Sequence, residues 1–321
     1  MLLTASIGAK EKYIYSTISH KEGLTSTVNS IYKEKDGDVW IGTPNGLYSF
    51  NGYALTHYTD TLFENRKVFS TSMDRDDQLW ILTDKRIIIK DSEEESFRKL
   101  HLPDTKQGRP FYSMLHDSEG IWLGSEGLIY RYTYSDRQIR LFCSTKENFE
   151  SRTMGLIDEN TLLCGSHDGQ VRINLKTKEV SDVSYGSFQE VTAIHVDSQE
   201  RIWIAFYNNG IEVFRKNGTK IRSYNTGNSS LSHNIILCMT EQDGKILAGT
   251  DGGGINIIDP ETEQIKVMAN ISGFSIEQYV ETCKKLDKEE QVGWLEVNIS
   301  CPNVHGGGMS FGTDPAMAKE V

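Results

Sequence analysis

A large apolar residue recurs in the same local setting about every forty residues through most of this chain. The recurring residues are Trp40, Trp80, Trp122, Leu163, Trp203 and Leu247. Each follows a polar turn and lies in a strand-like run; the runs are VWIGT, LWILT, IWLGS, LLCGS, IWIAF and ILAGT. Alternating runs on either side, joined by turns rich in Asp, Asn and Gly, predict three or four short strands per repeat. Tandem all-β repeats of this length are typical of a β-propeller, in which each repeat forms one blade.

The repeats therefore predict a mainly β fold with about six blades. Since large aromatic side chains usually build cores, we expect each Trp to pack between neighbouring blades. The glycine that follows it, as in Trp40-Ile41-Gly42, would then let a neighbouring strand approach closely.

The pattern changes near Ile265. An apolar run at 267–271 is followed by Ser275, a candidate helix cap. The residues predicted to share one face of this helix are Ile276, Tyr279, Val280, Cys283 and Leu286. A strand is predicted over 294–299, so the segment forms a βαβ unit, which implies a parallel sheet. We therefore predict two domains, residues 1–265 and residues 266–321.

Composition excludes some classes of function. The chain has 34 Lys and Arg against 45 Asp and Glu, a formal net charge of -11, which argues against a nucleic-acid-binding surface. No apolar run is long enough to span a bilayer. The five cysteines are scattered without metal-ligand spacing, so we predict no metal site.

The candidates for catalysis within the repeats are His57, His116, His167, Asp168 and His195. They are isolated in sequence and show no spacing typical of a catalytic site. We therefore predict that they are exposed turn or strand residues.

The repeat unit resembles a known family. The pattern D-x-x-G-x-[VIL]-W-[IL]-G-[TS]-x-x-G-[LI], seen at residues 36–47 and in part at 249–255, is similar to the two-component regulator propeller of hybrid sensors from gut Bacteroidetes. The resemblance covers residues ~10–265. It implies seven blades per ring, a glycan-derived or other small-molecule ligand, and a periplasmic location. Because the chain supplies about six blades, we expect an incomplete ring, with residues 13–19 as a candidate closing strand.

The second part resembles a different family. The segment GWLEVNISCPNVHGGGMSFGTDP is similar to the catalytic subunit of class 1B dihydroorotate dehydrogenase, a cytoplasmic TIM-barrel flavoprotein of pyrimidine synthesis. The resemblance implies FMN as cofactor and assigns the catalytic base to Cys301. It assigns flavin binding to Asn270 and Asn298, and substrate binding to Asn298 and Asn303. This segment of about fifty-five residues is a small part of a TIM barrel, which typically needs about 250 residues.

Three interpretations follow from this combination. The first is a ligand-sensing propeller, truncated and fused to a non-functional dehydrogenase fragment. The second is a dehydrogenase-related oxidoreductase that is active only if other chains supply the rest of the barrel. The third is a chain joined by recombination, sequence assembly or gene prediction. The location follows the dominant part, periplasmic for the propeller and cytoplasmic for the dehydrogenase.

Overall fold

The structure is a computed structural model that describes residues 23–35, 37–91, 96–102, 109–183, 185–186, 190–271 and 275–297. Contacts divide the chain into a first unit that ends at Gln264 and a second that begins at Ile265. Within the described ranges, no helix is long and apolar enough to cross a membrane.

The described part of the first unit consists of six antiparallel sheets, each a meander of consecutive strands. The first two sheets contain β1 (Ser30–Lys33), β2 (Val39–Thr43), β3 (Gly46–Phe50) and β4 (Leu55–Tyr58), then β5 (Val68–Met73), β6 (Leu79–Thr83), β7 (Ile87–Lys90) and β8 (Phe97–Lys99). The next two contain β9 (Phe111–His116), β10 (Gly120–Ser125), β11 (Leu128–Thr133) and β12 (Gln138–Ser144), then β13 (Thr153–Asp158), β14 (Thr161–Ser166), β15 (Gly169–Asn174) and β16 (Val180–Val183). The last two contain β17 (Val191–Val196), β18 (Ile202–Phe206), β19 (Gly210–Phe214) and β20 (Lys220–Tyr224), then β21 (Ile236–Gln242), β22 (Lys245–Thr250) and β23 (Ile255–Ile258). This arrangement confirms the predicted six-bladed propeller.

The core lies between blades. The indole of Trp40, 2% exposed, packs against Leu79 and Ile81 of the second blade, and Trp122 packs in the same way against Leu162 of the fourth blade. The Trp-bearing face of one blade thus covers the aliphatic face of the next. All four repeat tryptophans are 5% exposed or less, as predicted from the repeat.

The glycine after the Trp position admits the following blade. A Cβ placed on Gly42 would lie 2.7 Å from Cγ1 of Val68, and one on Gly165 would lie 2.6 Å from Cγ1 of Val191. Both valines begin the inner strand of the next blade, so no side chain larger than hydrogen fits at these glycines without displacing the valine. The predicted close approach is confirmed at these two positions.

Each of the four repeat tryptophans is anchored by a carboxylate from the turn that precedes its own strand; these strands are β2, β6, β10 and β18. Asp74 accepts hydrogen bonds from its own turn at the N–H groups of Asp76 and Gln78, both at 2.9 Å, and from Trp80 Nε1 at 2.8 Å. The corresponding bonds from an indole Nε1 run from Trp40 to Glu34 at 2.6 Å, from Trp122 to Asp117 at 2.9 Å and from Trp203 to Asp197 at 2.8 Å. One side chain therefore fixes both the turn and the inter-blade indole.

The inner strands of consecutive blades contact one another in the order β1, β5, β9, β13, β17 and β21. Among the described residues, β21 and β1 make no contact of comparable extent. The outward faces of these two blades are accordingly more exposed than the faces between blades: Ile31 is 65% exposed, and Cys238 is exposed as well.

The second unit contains β24 (Ile265–Ile271), α1 (Ile276–Leu286) and β25 (Val292–Val297). Strands β24 and β25 pair in parallel, and Tyr279, Cys283 and Leu286 of the helix pack with Ile271. The hydroxyl of Ser275 accepts a hydrogen bond from the N–H of Gln278. This confirms the predicted βαβ segment and its cap.

Two details of that prediction were wrong. Val280 is 36% exposed and does not belong to the buried helix face. That face consists of Tyr279 together with Ile276, Cys283 and Leu286. The strand predicted over 294–299 begins two residues earlier, at Val292, where the backbone already pairs with Val267.

We expect Trp203→Phe to lower the free energy of unfolding by about 2 kcal/mol, since it removes a buried hydrogen bond to a charged carboxylate. Urea titration of the full chain measures this change. Tyr53, which is 97% exposed, supplies the control: Tyr53→Phe should change stability by less than about 0.5 kcal/mol. Equal effects of the two substitutions would contradict the anchoring role.

The anchoring carboxylates also predict acid sensitivity. Burial raises the pKa of Asp197, but hydrogen bonds from Trp203 and Arg201 outweigh burial and hold this pKa below the usual value of 3.8. A pKa lowered by folding contributes stability that is fully present above the ordinary value and is lost as the pH falls through the lowered one. We therefore expect the free energy of unfolding to fall below about pH 4.

Urea titrations at several pH values between about 5 and 2.5 measure this loss. Asp197→Asn, which has no proton to bind, should be less stable at neutral pH and should lose less stability on acidification. The same acid slope in both proteins would show that Asp197 does not contribute.

Candidate ligand-binding site

The inner strand of each blade carries one extra residue near its start. The register of β5 skips from Val68 to Ser70, that of β17 from Val191 to Ala193, and that of β21 from Ile236 to Cys238. Strand β9 shows the same irregularity opposite Gly124 and Ser125. These are β-bulges, in which two residues of one strand oppose a single residue of its partner.

The first and fourth blades share this geometry. The N–H of Asn29 bonds to the carbonyl of Gly42 at 2.8 Å, and the N–H of Arg152 bonds to the carbonyl of Gly165 at 3.0 Å. The same two glycines are the register partners of Ser30 and Thr153, the next residues along. The six bulge residues are Asn29, Phe69, Tyr112, Arg152, Thr192 and Leu237.

The bulge turns one side chain per blade away from the core. The residue before the bulge is buried in five blades; these residues are Val68, Phe111, Ser151, Val191 and Ile236, each 1% exposed or less. The bulge residues themselves are half-buried or exposed. Because all six occupy the same end of an inner strand, consecutive blades present them along one surface.

Three consecutive bulge residues form a continuous platform. The ring centroids of Phe69 and Tyr112 are 5.1 Å apart, and the guanidinium carbon of Arg152 lies 5.4 Å from the centroid of the Tyr112 ring. We call these three residues the bulge platform. It offers two partly exposed aromatic rings beside a cationic group, contributed by the second, third and fourth blades.

Glu150 holds the bulge platform together. Its Oε1 accepts the hydroxyl of Tyr112 at 2.8 Å, and its Oε2 accepts Nε of Arg152 at 2.7 Å and Nη2 at 2.6 Å. Burial raises the pKa of Glu150, but the bonds from Tyr112 and Arg152 outweigh it and lower the pKa overall. Burial, and next the bond to Glu150, raise the pKa of Tyr112. At neutral pH the carboxylate is therefore charged and the phenol is neutral.

Glu126 also borders the platform, and its charge helps to raise the pKa of Tyr112. Glu126, in the turn between β10 and β11, forms an isolated backbone bridge with Glu150. Its carbonyl accepts Nη1 of Arg109 at 2.8 Å. The border between the third and fourth blades thus carries two carboxylates and two guanidinium groups, those of Arg109 and Arg152.

The candidate residues of the repeats are distributed differently from the sequence prediction. His57 and His167 are exposed, as is Asp168. His116 and His195 are half-buried, and the prediction that they are exposed was wrong. Burial lowers the pKa of both imidazoles and outweighs the nearby carboxylates, which raise it.

His57 borders a separate cavity of about 480 Å³ at the join between the first and second blades. Its ring stacks on Tyr48 with centroids 4.2 Å apart, and Lys67 and Asp84 line the same cavity. Neither this cavity nor any other part of the described residues contains a cluster of three His, Cys, Asp or Glu side chains that could hold a metal ion.

The residues assigned to the flavin site lie mostly outside the described residues. Asn298, Cys301 and Asn303 fall in that part of the chain. Asn270 is in β24, where its backbone pairs in register with Glu296 of β25. Their roles therefore stay predictions.

Sequence reasoning missed the bulge platform because its residues differ in type. Phe69, Tyr112 and Arg152 share no chemistry, and a bulge interrupts the alternation by which strands are recognised. One signal was available: each bulge residue lies ten or eleven residues before the Trp or Leu of its own repeat.

The fold and the platform define this chain as a six-bladed β-propeller with a parallel strand–helix–strand segment at 265–297. Residues 22–45 match the family model of the two component regulator propeller, and residues 204–321 match that of dihydroorotate dehydrogenase. The chain is thus similar to the two component regulator propeller in its first part and to dihydroorotate dehydrogenase in its last part. The second match begins within β18, and the domain boundary near residue 265 stays a prediction.

Relatives of the second segment are catalytic subunits of dihydroorotate dehydrogenase B (NAD(+)). The subunit from Geotalea uraniireducens is 53% identical over 60 residues, which cover 19% of this chain and 20% of that protein. The one from Alkaliphilus metalliredigens is 55% identical over 56 residues, covering 17% and 18%. The chain therefore spans about a fifth of the length of these relatives.

Solved structures resemble the propeller. Virginiamycin B lyase from Staphylococcus aureus aligns with a TM-score of 0.58 and 17% identity, covering 76% of this chain and 85% of that one. PorZ from Porphyromonas gingivalis aligns with a TM-score of 0.56 and 18% identity, covering 73% and 38%. The extracellular domain of BT4673 from B. thetaiotaomicron aligns with a TM-score of 0.49 and 20% identity, covering 76% and 41%. At such identities the first two similarities establish the fold alone.

Proposed function

We propose that the propeller is a ligand-binding module that holds a carbohydrate at the bulge platform, as part of a carbohydrate-responsive signalling system. The observation that carries this proposal is the contact of Phe69 with Tyr112 and of Tyr112 with Arg152 across three blades. Partly exposed aromatic rings supply a flat apolar surface, and a few fixed polar groups beside it set orientation. The match of residues 22–45 to the two component regulator propeller supports a sensory role.

The polar groups suit a hydroxylated ligand. The carboxylate of Glu150 and that of Glu126 are hydrogen-bond acceptors, and the guanidinium of Arg152 is a donor. Because the bulge residues sit on the rigid inner strands of adjacent blades, these groups are positioned before a ligand arrives, which reduces the entropic cost of binding.

We expect Tyr112→Ala to weaken carbohydrate binding by at least about tenfold, since it removes the central ring of the platform. A glycan array with the full chain identifies a ligand, and isothermal titration calorimetry then measures its affinity. Tyr53→Ala is the matched control, because Tyr53 is an exposed tyrosine outside the platform. Thermal unfolding of each variant checks that it folds. Unchanged affinity in folded Tyr112→Ala would place the ligand elsewhere.

We propose further that the segment at 266–321 does not act as a dehydrogenase by itself. Its described part contains two parallel strands and one helix, whereas a TIM barrel needs eight of each to enclose its site. The relatives are matched over about a fifth of their length. In the family, FMN supplies the hydride acceptor, and the residues of this chain that would contact it are Asn270 and Asn298.

Bound flavin absorbs at about 450 nm. We expect the purified full chain to show no flavin absorbance that corresponds to one flavin per chain. We also expect no dye-linked oxidation of dihydroorotate. Bound flavin together with oxidation that Cys301→Ser abolishes would overturn this proposal.

A second candidate function is dihydroorotate oxidation by an assembled barrel, favoured by the 53% identity to a catalytic subunit. It requires other chains to supply the remaining strands. Co-expression with a segment that supplies the rest of a relative's barrel tests it: activity that appears only in the mixture, and disappears with Cys301→Ser, would support this function.

A further inference from the structure

The cationic groups at the bulge platform are already engaged by the protein. Arg152 directs Nε and Nη2 at Oε2 of Glu150, at 2.7 and 2.6 Å. This edge of a guanidinium is the one that would otherwise bind a ligand carboxylate or sulfate through parallel hydrogen bonds. An acidic ligand would have to displace Glu150 to use this edge, and at the remaining Nη1 and Nη2 protons it would meet a guanidinium whose charge Glu150 already balances.

The remaining charges near the platform leave no excess of positive charge. Arg109 donates to the carbonyl of Glu126, and the carboxylates of Glu126 and Glu150 balance the two guanidinium groups. Lys146, farther along the same border, pairs with Asp182. The whole chain carries a formal charge of -11, which adds a long-range repulsion for anions.

From this arrangement we infer that the platform selects a neutral saccharide over its uronic-acid or sulfated counterpart, with Glu150 as the specificity-determining residue. This inference rests on the proposed function. Hydroxyl groups can use the unoccupied lone pairs of Glu150 and Glu126 without breaking the bond between Glu150 and Arg152. The lowered pKa of Glu150 supports the same conclusion, since the carboxylate stays charged in neutral solution.

Matched oligosaccharides test the inference. A neutral oligosaccharide and its C6-carboxylate counterpart, equal in length and linkage, are titrated into the full wild-type chain by calorimetry. The neutral form should bind at least about tenfold more tightly, because the acidic form meets a paired guanidinium and two carboxylates.

Glu150→Gln provides a gain-of-function test. The amide keeps the shape of the side chain but removes the negative charge that pairs with Arg152 and repels an acidic ligand, so the ratio of the affinity for the acidic oligosaccharide to that for the neutral one should rise by at least about tenfold. Glu179→Gln changes the net charge equally at an exposed position outside the platform and should change neither affinity.

The outcomes separate the inference from the proposed function. If wild type binds the acidic form as tightly as the neutral one, the charge selection is wrong and carbohydrate binding stands. If folded Glu150→Gln gains nothing for the acidic form, Glu150 does not determine specificity. If wild type binds neither form of any oligosaccharide in the array, the proposed function fails and this inference fails with it. The wild-type comparison decides the charge preference even if the variant does not fold.

Discussion

The hydrogen bond between a turn carboxylate and the indole of the same repeat orders four of the six described blades. In the second blade, Asp74 closes the turn that leads into β6 and also fixes Trp80, whose ring is fully buried against the third blade. Local turn formation and inter-blade packing are thereby joined in one side chain. Since each blade packs on the next, the position of an indole in one blade also determines how the following blade packs.

Two blades build the same interface without the indole. The fourth blade has Leu163, and the residue opposite it on β13 is Gly155. A Cβ on Gly155 would lie 2.7 Å from Cγ2 of Ile194, so the next blade moves into the space that a tryptophan fills elsewhere. The sixth blade has Leu247, which is only partly buried on a face that no described blade covers. Different residues therefore fill the interface between two blades wherever a described blade follows.

The sequence predicted those features that repeat in residue type. Trp40 and Trp122 mark blades because burial of a large ring requires the same side chain each time, and Ser275 marks a helix start because few side chains can cap one. The bulge platform escaped prediction because Phe69, Tyr112 and Arg152 have backbone geometry in common but no chemistry. His116 was misjudged for a related reason: exposure of a strand residue depends on the neighbouring blade, which its own repeat does not encode.

The bulge has a consequence for how such a surface can diversify. In five blades the residue before the bulge, such as Val68 or Val191, is buried in the core, whereas the bulge residue is half-buried or exposed. Substitution at Leu237, which is 57% exposed, therefore leaves the core unchanged. Substitution at Asn29 or Thr192 removes one hydrogen bond to a backbone carbonyl, and the energetic effects of changes at such separate positions should be nearly independent of one another. The core positions that maintain stability are thus distinct from the bulge positions on the surface, so the chemistry of this surface can change one blade at a time.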